Sequence, residues 1–163
     1  MLIVLFGKPG CGKNFIGKIM KDEFGFYFFD GDDCLTAKMK KRISKGIIIT
    51  KKMRREFYGR LTKKISKLSR GKNRLVVAQA IPIEKYRELI LKKFPQAKLI
   101  LVSAKDAIIK NRLLTRKHLA DADYCKKINK LFEKPKIKYQ KIINDAKGKL
   151  KIKIRLKKTL SGC

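Results

Sequence analysis

A glycine-rich run near the start of the chain has the spacing of a phosphate-binding loop. Residues 7–14, Gly-Lys-Pro-Gly-Cys-Gly-Lys-Asn, fit the pattern Gly-x-x-x-x-Gly-Lys-[Ser/Thr] except at the last position. Glycines let successive backbone N–H groups turn toward a phosphate, and the helix that follows presents its positive end. We therefore expect Lys13 to reach the β- and γ-phosphates of a nucleotide as a catalytic cation. The candidate nucleotide contacts in the loop are Gly7, Lys8, Pro9, Gly10, Cys11, Gly12, Lys13 and Asn14.

Asn14 is the one departure from this pattern, which has a Mg²⁺-binding hydroxyl at that position. A carboxamide oxygen can also bind a hard cation, although the side chain is longer and its geometry differs. Two interpretations stay open: Mg²⁺ is held mainly by carboxylates and water, or the activity is reduced. Asn14 and Asp30 are the candidate metal-binding residues, with Asp30 acting through water.

Acidic residues are scarce in this chain and concentrated in one segment. The chain has 44 Lys and Arg against 13 Asp and Glu, a formal net charge of +31. Five of the acids fall within residues 22–33. Asp32 follows a predicted strand, and open α/β sheets bind ligands at that end of their strands, so we expect it to orient or deprotonate an acceptor hydroxyl. The structural alternative is a turn or a helix N-cap, a role that suits Asp33.

Several arginines are candidate ligands for anionic groups. A guanidinium matches a carboxylate or phosphate in two-point contact, so Arg54 and Arg87 are candidates to hold an acidic group of the acceptor. Arg112 and Arg116 lie one helical turn apart and share a face. The alternative for each is a solvated surface cation.

Strands and helices alternate along the chain, which predicts one α/β domain over residues 1–163. Apolar runs predict strands at 1–6, 26–29, 75–78 and 97–102, and helical periodicity predicts helices at 13–23, 33–45, 50–69, 83–94, 104–117 and 121–133. In the 149–160 tail, alternation favours a strand, whereas Ile152, Leu156 and Leu160 also fit a helix. We expect a mainly parallel, five-stranded sheet.

Composition and length exclude several classes of protein. At 163 residues and 44% hydrophobic content, the chain can bury a core of its own. Its apolar runs are too short for a transmembrane helix, and no signal peptide is expected. Four scattered cysteines predict neither a disulfide scaffold nor a zinc site, which favours a reducing, cytoplasmic location.

Beyond the phosphate loop, residues 1–135 resemble the small P-loop kinases, above all gluconokinase and, more distantly, shikimate kinase. The matching segments are Phe28–Asp33, Lys38-Met39, Gly46–Thr50 with Arg54, Val77–Ala80 with Tyr86-Arg87, Arg112 with Arg116 and His118, and Leu131–Pro135. The chain departs from the gluconokinase pattern at Ile48, Lys51, Lys52, Met53 and Phe57. The substrate pocket of the family is therefore expected to be altered.

The resemblance implies a three-layer P-loop fold of the nucleoside-monophosphate-kinase type. It implies a helical substrate-binding segment at about 34–70 and a lid at about 111–125, in which Arg112 and Arg116 cover the nucleotide and neutralise the transferring phosphoryl group. The implied activity is ATP- and Mg²⁺-dependent phosphorylation of a small metabolite hydroxyl, most like that of a sugar-acid kinase.

Two alternatives stay open from the sequence. One is a nucleotide or polynucleotide 5′-hydroxyl kinase, and the other is a non-catalytic P-loop module that binds nucleic acid or another polyanion, which the +31 charge would attract. Nucleic acid is possible but not favoured as a partner, and no membrane partner is expected.

Overall fold

A computed structural model describes residues 1–115, 122–145 and 148–161 of the chain. The strands are β1 (Leu2–Phe6), β2 (Tyr27–Asp30), β3 (Leu75–Ala78), β4 (Lys98–Ser103) and β5 (Gln140–Ile143). The helices are α1 (Lys13–Phe24), α2 (Ala37–Ser44), α3 (Lys51–Gly71), α4 (Glu84–Lys93), α5 (Asp106–Thr115), α6 (Ala122–Lys130) and α7 (Lys149–Ser161), and a short 3₁₀ helix spans Gly31–Cys34.

The five strands form one parallel sheet in the order β2-β3-β1-β4-β5. The central strand β1 is buried on both faces because its five residues are all apolar. Leu2, Val4 and Phe6 pack with apolar residues of α2, α3, α4 and α6, whereas Ile3 and Leu5 pack with those of α1, α5 and α7. The predicted three-layer α/β fold with a five-stranded parallel sheet is therefore confirmed.

The fifth strand and the tail differ from what their sequences favour. The fifth strand is Gln140–Ile143, which pairs with β4, and no strand was predicted there. The tail forms α7 because helical spacing buries Ile152 and Leu156, while Leu150 and Ile154, which complete the alternating pattern, are 68% and 60% exposed. Two ion pairs from Lys149 and Lys153 to Glu23 tie α7 to α1.

The segment after β2 begins with a 3₁₀ turn instead of the predicted α-helix. Asp30 caps that turn by accepting a hydrogen bond from the backbone N–H of Asp32. The helix α2 starts only at Ala37, where Thr36 Oγ1 accepts from the N–H of Met39 at 3.2 Å. Asp33 is therefore not a helix N-cap, and this turn sets the position of the Asp32 backbone.

The single-domain organisation and the substrate-binding segment at about 34–70 stay predictions. Part of the expected lid, residues 116–121, lies outside the described residues, as do Arg116 and His118. No described helix is long and apolar enough to cross a membrane.

Candidate functional site

The predicted phosphate loop connects β1 to the first residue of α1. Its glycines are required by close packing as well as by conformation. Gly12 has φ of 96°, and a Cβ atom there would lie 2.0 Å from Nδ2 of Asn144. Gly7 has φ of 148°, and its Cβ would lie 2.2 Å from the carbonyl oxygen of Val102. The loop is therefore pressed against the ends of β4 and β5, where no larger side chain fits.

Two side chains from the C-terminal half hold the carbonyl groups of this loop. Arg112 Nη1 donates to the carbonyl oxygens of Gly10 at 3.4 Å and Cys11 at 3.2 Å, and Nη2 donates to Asn144. Asn144 is 2% exposed and donates from Nδ2 to the carbonyl oxygen of Cys11 at 3.0 Å. We call this pair the loop clamp. A phosphate-binding loop needs its carbonyls directed away from the anion, and the clamp engages two of them.

Lys13 stands at the first turn of α1 and curls back over the loop. Its Nζ donates to the carbonyl oxygens of Gly7 at 3.0 Å and Lys8 at 3.1 Å. Its positive charge also acts on Asp32, where it lowers the carboxyl pKa and opposes the larger effects that raise it. The ammonium group of Lys13 therefore lies between the loop and the acidic segment after β2, as a phosphate-binding lysine requires.

The two candidate metal-binding residues contact each other. Asn14 Nδ2 donates to Oδ2 of Asp30, while Oδ1 of Asp30 accepts from the N–H of Asp32 at 3.0 Å. The Asn14 carbonyl oxygen and the Asp30 carboxylate together fit Mg²⁺, because this ion is commonly held by one or two carboxylates, water and substrate phosphates. Among the described residues, no three Asp, Glu, His or Cys side chains form a cluster that could hold a metal by itself.

The carboxyl group of Asp32 has a raised pKa. The residue lines the cavity and is exposed to solvent there. Partial desolvation by the surrounding protein, followed by the negative charge of Asp30, raises the pKa of Asp32 from 3.8 to about 6. The group is ionised at neutral pH and still takes up a proton readily, which suits a general base.

One cavity of about 260 Å³ joins the phosphate loop to a pocket between α2, α3 and α6. Its lining includes Lys13, Asn14 and Arg112 around the loop, Asp30 and Asp32 at and after the end of β2, and Arg54 from α3. The structure thus brings together most of the predicted site residues. Three further residues line the cavity that the sequence did not predict as site residues: Gln79, Tyr58 and Tyr124. No short sequence pattern around the two tyrosines distinguishes them from ordinary core residues.

With this geometry in place, comparison with known proteins gives the family. The shikimate kinase family model matches residues 9–156, which is most of the chain. The chain belongs to the shikimate kinase family. Its predicted resemblance to small P-loop kinases is therefore confirmed.

One curated protein of this family matches a short part of the chain. A curated shikimate kinase from Clostridium botulinum (strain Eklund 17B / Type B) is 48% identical over 42 residues, which is 26% of this chain and 26% of that protein. The match thus spans about a quarter of the length of that curated relative.

Two solved structures share the fold over nearly the whole chain. A sugar kinase from Janibacter sp. HTCC2649 has a TM-score of 0.84 at 19% identity and covers 98% of this chain and 94% of its own. A gluconokinase from Sinorhizobium meliloti 1021 has a TM-score of 0.75 at 18% identity, with the same two coverages. At these identities the likeness shows the fold alone.

Arg87 is the predicted site residue that the structure places elsewhere. It has no exposed surface and does not line the cavity. Its guanidinium donates to the carboxylate of Glu84, to the carbonyl oxygen of Ile81 at 2.8 Å and to that of Glu133 at 3.0 Å. The assignment of Arg87 to substrate binding is therefore corrected: it joins α4 to the segments before α4 and after α6.

The Glu133 segment, which carries part of the family resemblance, belongs to the same hydrogen-bond network. Glu133 Oε2 accepts from the N–H of Glu84 at 2.6 Å, and Glu84 Oε1 accepts from the N–H groups of Lys136 and Ile137 at 2.8 Å. Partial desolvation opposes ionisation of Glu84, but hydrogen bonds from Arg87 and these N–H groups hold its pKa below the usual range. The network fastens the chain after α6 to the start of α4.

Replacing Arg87 with methionine is expected to destabilise the fold by about 3 kcal/mol, because Glu84 would be left as a buried carboxylate without its cation. Equilibrium unfolding in urea measures this loss. Lys92→Met, on an exposed position of the same helix, is the matched control. If Arg87→Met left stability unchanged and instead raised the KM of the acceptor, the original substrate-binding assignment would be right.

Proposed function

We propose that this protein is an ATP-dependent kinase that phosphorylates a hydroxyl group of a small metabolite. The observation that carries the proposal is that Lys13 of the phosphate loop and the carboxylate of Asp32 line one cavity. Phosphoryl transfer depends on positioning and on charge stabilisation more than on covalent chemistry, and this cavity offers both. A gluconate or another sugar acid is the acceptor implied by the resemblance, and a cytoplasmic location stays a prediction.

In the proposed reaction, Lys13 and the loop amides bind the β- and γ-phosphates, while the loop clamp keeps the loop in shape. Asp32 orients the acceptor hydroxyl and takes its proton. The acceptor oxygen bonds to the γ-phosphorus, the bond from that phosphorus to ADP breaks, and ADP keeps the electron pair. Mg²⁺, when bound, supplies charge neutralisation on the phosphates. Asn14 and Asp30 are the residues that would hold it, and Arg112 and Arg116 are proposed to act on the nucleotide.

Isothermal titration with ADP and ATP in the presence of Mg²⁺, followed by an ADP-release assay with gluconate and shikimate, tests this function. We expect binding of both nucleotides and acceptor-dependent release of ADP. If the folded protein bound neither nucleotide, the kinase proposal would be wrong.

One surface favours a second candidate, a kinase that acts on a polynucleotide 5′ hydroxyl. The exposed ring of Tyr27 lies on the edge strand β2 in a second groove, which is also lined by the mostly buried Phe29, by Asp33 and by the cations Arg60, Lys63, Lys64 and Lys67. An exposed aromatic ring among cations suits single-stranded nucleic acid. In this case the protein would phosphorylate a 5′-hydroxyl oligonucleotide, and binding would weaken steeply with salt.

The contact between Asn14 and Asp30 predicts how substitutions at Asn14 affect the metal. Asn14→Leu removes the hydrogen bond that positions Asp30, so we expect the Mg²⁺ concentration for half-maximal activity to rise roughly tenfold. Asn14→Ser retains a donor and a metal-binding oxygen, and its activity is expected to stay within about threefold of the wild type. Mg²⁺ titrations of ADP release measure both, with Asn73→Leu as an exposed control. A large gain of activity from Asn14→Ser would instead indicate a degraded metal site.

A further inference from the structure

The part of the cavity between α2, α3 and α6 has a mostly apolar wall. We call it the acceptor end. Its side chains come from the segment before α2, from α2, from the loop between α2 and α3, from α3, from the loop after β3 and from α6. All are buried: Leu35, Ile43, Ile49, Phe57, Pro82 and Ile128. None of them can donate or accept a hydrogen bond through its side chain. A bound molecule therefore presents carbon to most of this wall, because a hydroxyl placed there loses its hydrogen bonds to water without replacing them.

The polar groups at this end are few. Besides Asp32 they are the Arg54 guanidinium, the Gln79 amide and the hydroxyls of Tyr58 and Tyr124. The charges of Asp32 and Arg54 both act on the two phenols, so the four groups share one region. Desolvation is the main cause that raises the pKa of Tyr58 beyond its usual range and that of Tyr124 to about 12, so both hydroxyls stay neutral.

Arg54 is the cation of this region that can bind an anion. Its side chain is half-buried, and Nη2 makes a long contact of 3.5 Å with the carbonyl oxygen of Ile49. A guanidinium has five N–H donors and this contact uses one of them, so Arg54 has donors left for an anion in the cavity that it lines. A carboxylate or similar anion fits this position.

The pocket is also restricted in size. Lys127 Nζ on α6 donates to the carbonyl oxygen of Gly46 at 2.8 Å, which joins α6 to the loop between α2 and α3. Both elements carry wall residues, Ile128 and Ile49. The whole cavity of about 260 Å³ must also admit the transferring phosphate, so the acceptor is a small molecule.

We propose that the acceptor is a small hydroxy acid whose body between the reacting hydroxyl and the anionic group is apolar, such as a ring or a branched chain, instead of a polyhydroxylated sugar acid. This inference rests on the proposed kinase function. The hydroxyl proton passes to Asp32, the new bond joins the acceptor oxygen to the γ-phosphorus, and ADP departs with the electrons of the broken bond. Arg54 holds the anionic group, and the apolar wall selects the body.

A panel of acceptors tests the proposal by ADP release from Mg-ATP. 3-(Hydroxymethyl)benzoate and 4-(hydroxymethyl)benzoate place a hydroxymethyl group and a carboxylate on an apolar ring at two different spacings. Gluconate and shikimate carry several hydroxyls, and benzyl alcohol lacks the acid. We expect kcat/KM for at least one of the two apolar acids to exceed those of gluconate, shikimate and benzyl alcohol by about tenfold or more.

Arg54→Met is expected to abolish the advantage of the apolar acid over benzyl alcohol, while Mg-ATP binding stays within about threefold of the wild type. The adjacent exposed Arg55→Met is the matched control and should retain that advantage. If Arg54→Met does not fold, the comparison of acceptors with the wild-type protein still decides the question.

Preference for gluconate or shikimate over both apolar acids would overturn the substrate class and leave the kinase function standing. Normal Mg-ATP binding without transfer to either apolar acid would overturn it as well. If Arg54→Met left the ratio of kcat/KM for the apolar acid to kcat/KM for benzyl alcohol unchanged, Arg54 would not be the residue that binds the anionic group. Failure of the wild-type protein to bind any nucleotide would instead refute the kinase function itself.

Discussion

Lys13→Met is expected to reduce kcat/KM for phosphoryl transfer by roughly 10³-fold, because it removes the cation placed to stabilise charge on the transferring phosphate. Methionine keeps the length and apolar part of the side chain. The variant loses two hydrogen bonds to the carbonyl oxygens of Gly7 and Lys8, so unfolding free energy should fall by only about 1 kcal/mol. ADP release measures the first effect and urea unfolding the second.

Lys18→Met is the matched control for this experiment, since Lys18 lies on the same helix and is exposed. It removes the same charge from the protein, and we expect full activity. Were Lys13→Met to retain more than about a tenth of the wild-type activity, the loop would not be the site of phosphoryl transfer.

Asp32→Asn is expected to lower kcat by roughly 10²- to 10⁴-fold, the usual contribution of a positioned general base. In the wild-type protein the carboxylate is the active form, and the pKa of Asp32 is about 6. Activity should therefore increase as pH rises from about 5 to about 7 and then level off, with a midpoint near 6. The residual activity of Asp32→Asn should lack this acid limb.

The same substitution is expected to stabilise the fold at neutral pH. The folded-state pKa of Asp32 lies above the ordinary 3.8, so the folded protein is penalised for the charge, and stability from this group is lost as pH rises through about 6. Asp32→Asn removes the penalty, which we take as about 1 kcal/mol because the residue is open to the cavity. The advantage should shrink as pH falls toward 4, where the wild-type carboxyl is protonated in the folded state.

Asp33→Asn provides the matched control, because Asp33 is the adjacent acid in the same 3₁₀ helix and does not line the cavity. Urea unfolding at a series of pH values compares the three proteins. If Asp33→Asn reproduced both effects, they would belong to the general charge of the segment. An acid limb that persisted in Asp32→Asn would assign the titration to another group.

The parts of the site that the sequence predicts are those determined by local geometry. The loop over residues 7–14 and the carboxylates after β2 depend on glycine conformation and on the end of a parallel strand, and both are visible in a short window of sequence. The structure places Lys13, Asn14, Asp30, Asp32 and Arg54 on one cavity accordingly. Their chemical roles stay predictions.

The parts that could not be predicted depend on contacts between distant segments. Arg87 has the local sequence of a surface arginine, and it is buried because the carbonyl of Glu133, 46 residues away, accepts from it. The strand β5 is only four residues long and carries Gln140 and Lys141, so its pairing with β4 decides its structure. In α7, alternation and helical spacing coincide in the sequence, and packing against α1 selects the helix.

The loop clamp has a consequence for the order in which the protein can acquire function during synthesis. The phosphate loop is complete after residue 14, yet Asn144, which bonds to Cys11, is 133 residues further along the chain. A nascent chain that has emerged only as far as α6 can pair β1 with β3 and β4, but its loop carbonyls lack this partner. We therefore expect the chain to bind nucleotide only after the end of β5 has packed against the phosphate loop. Before that, a ribosome-bound intermediate contains the loop residues but not the loop conformation that binds phosphate.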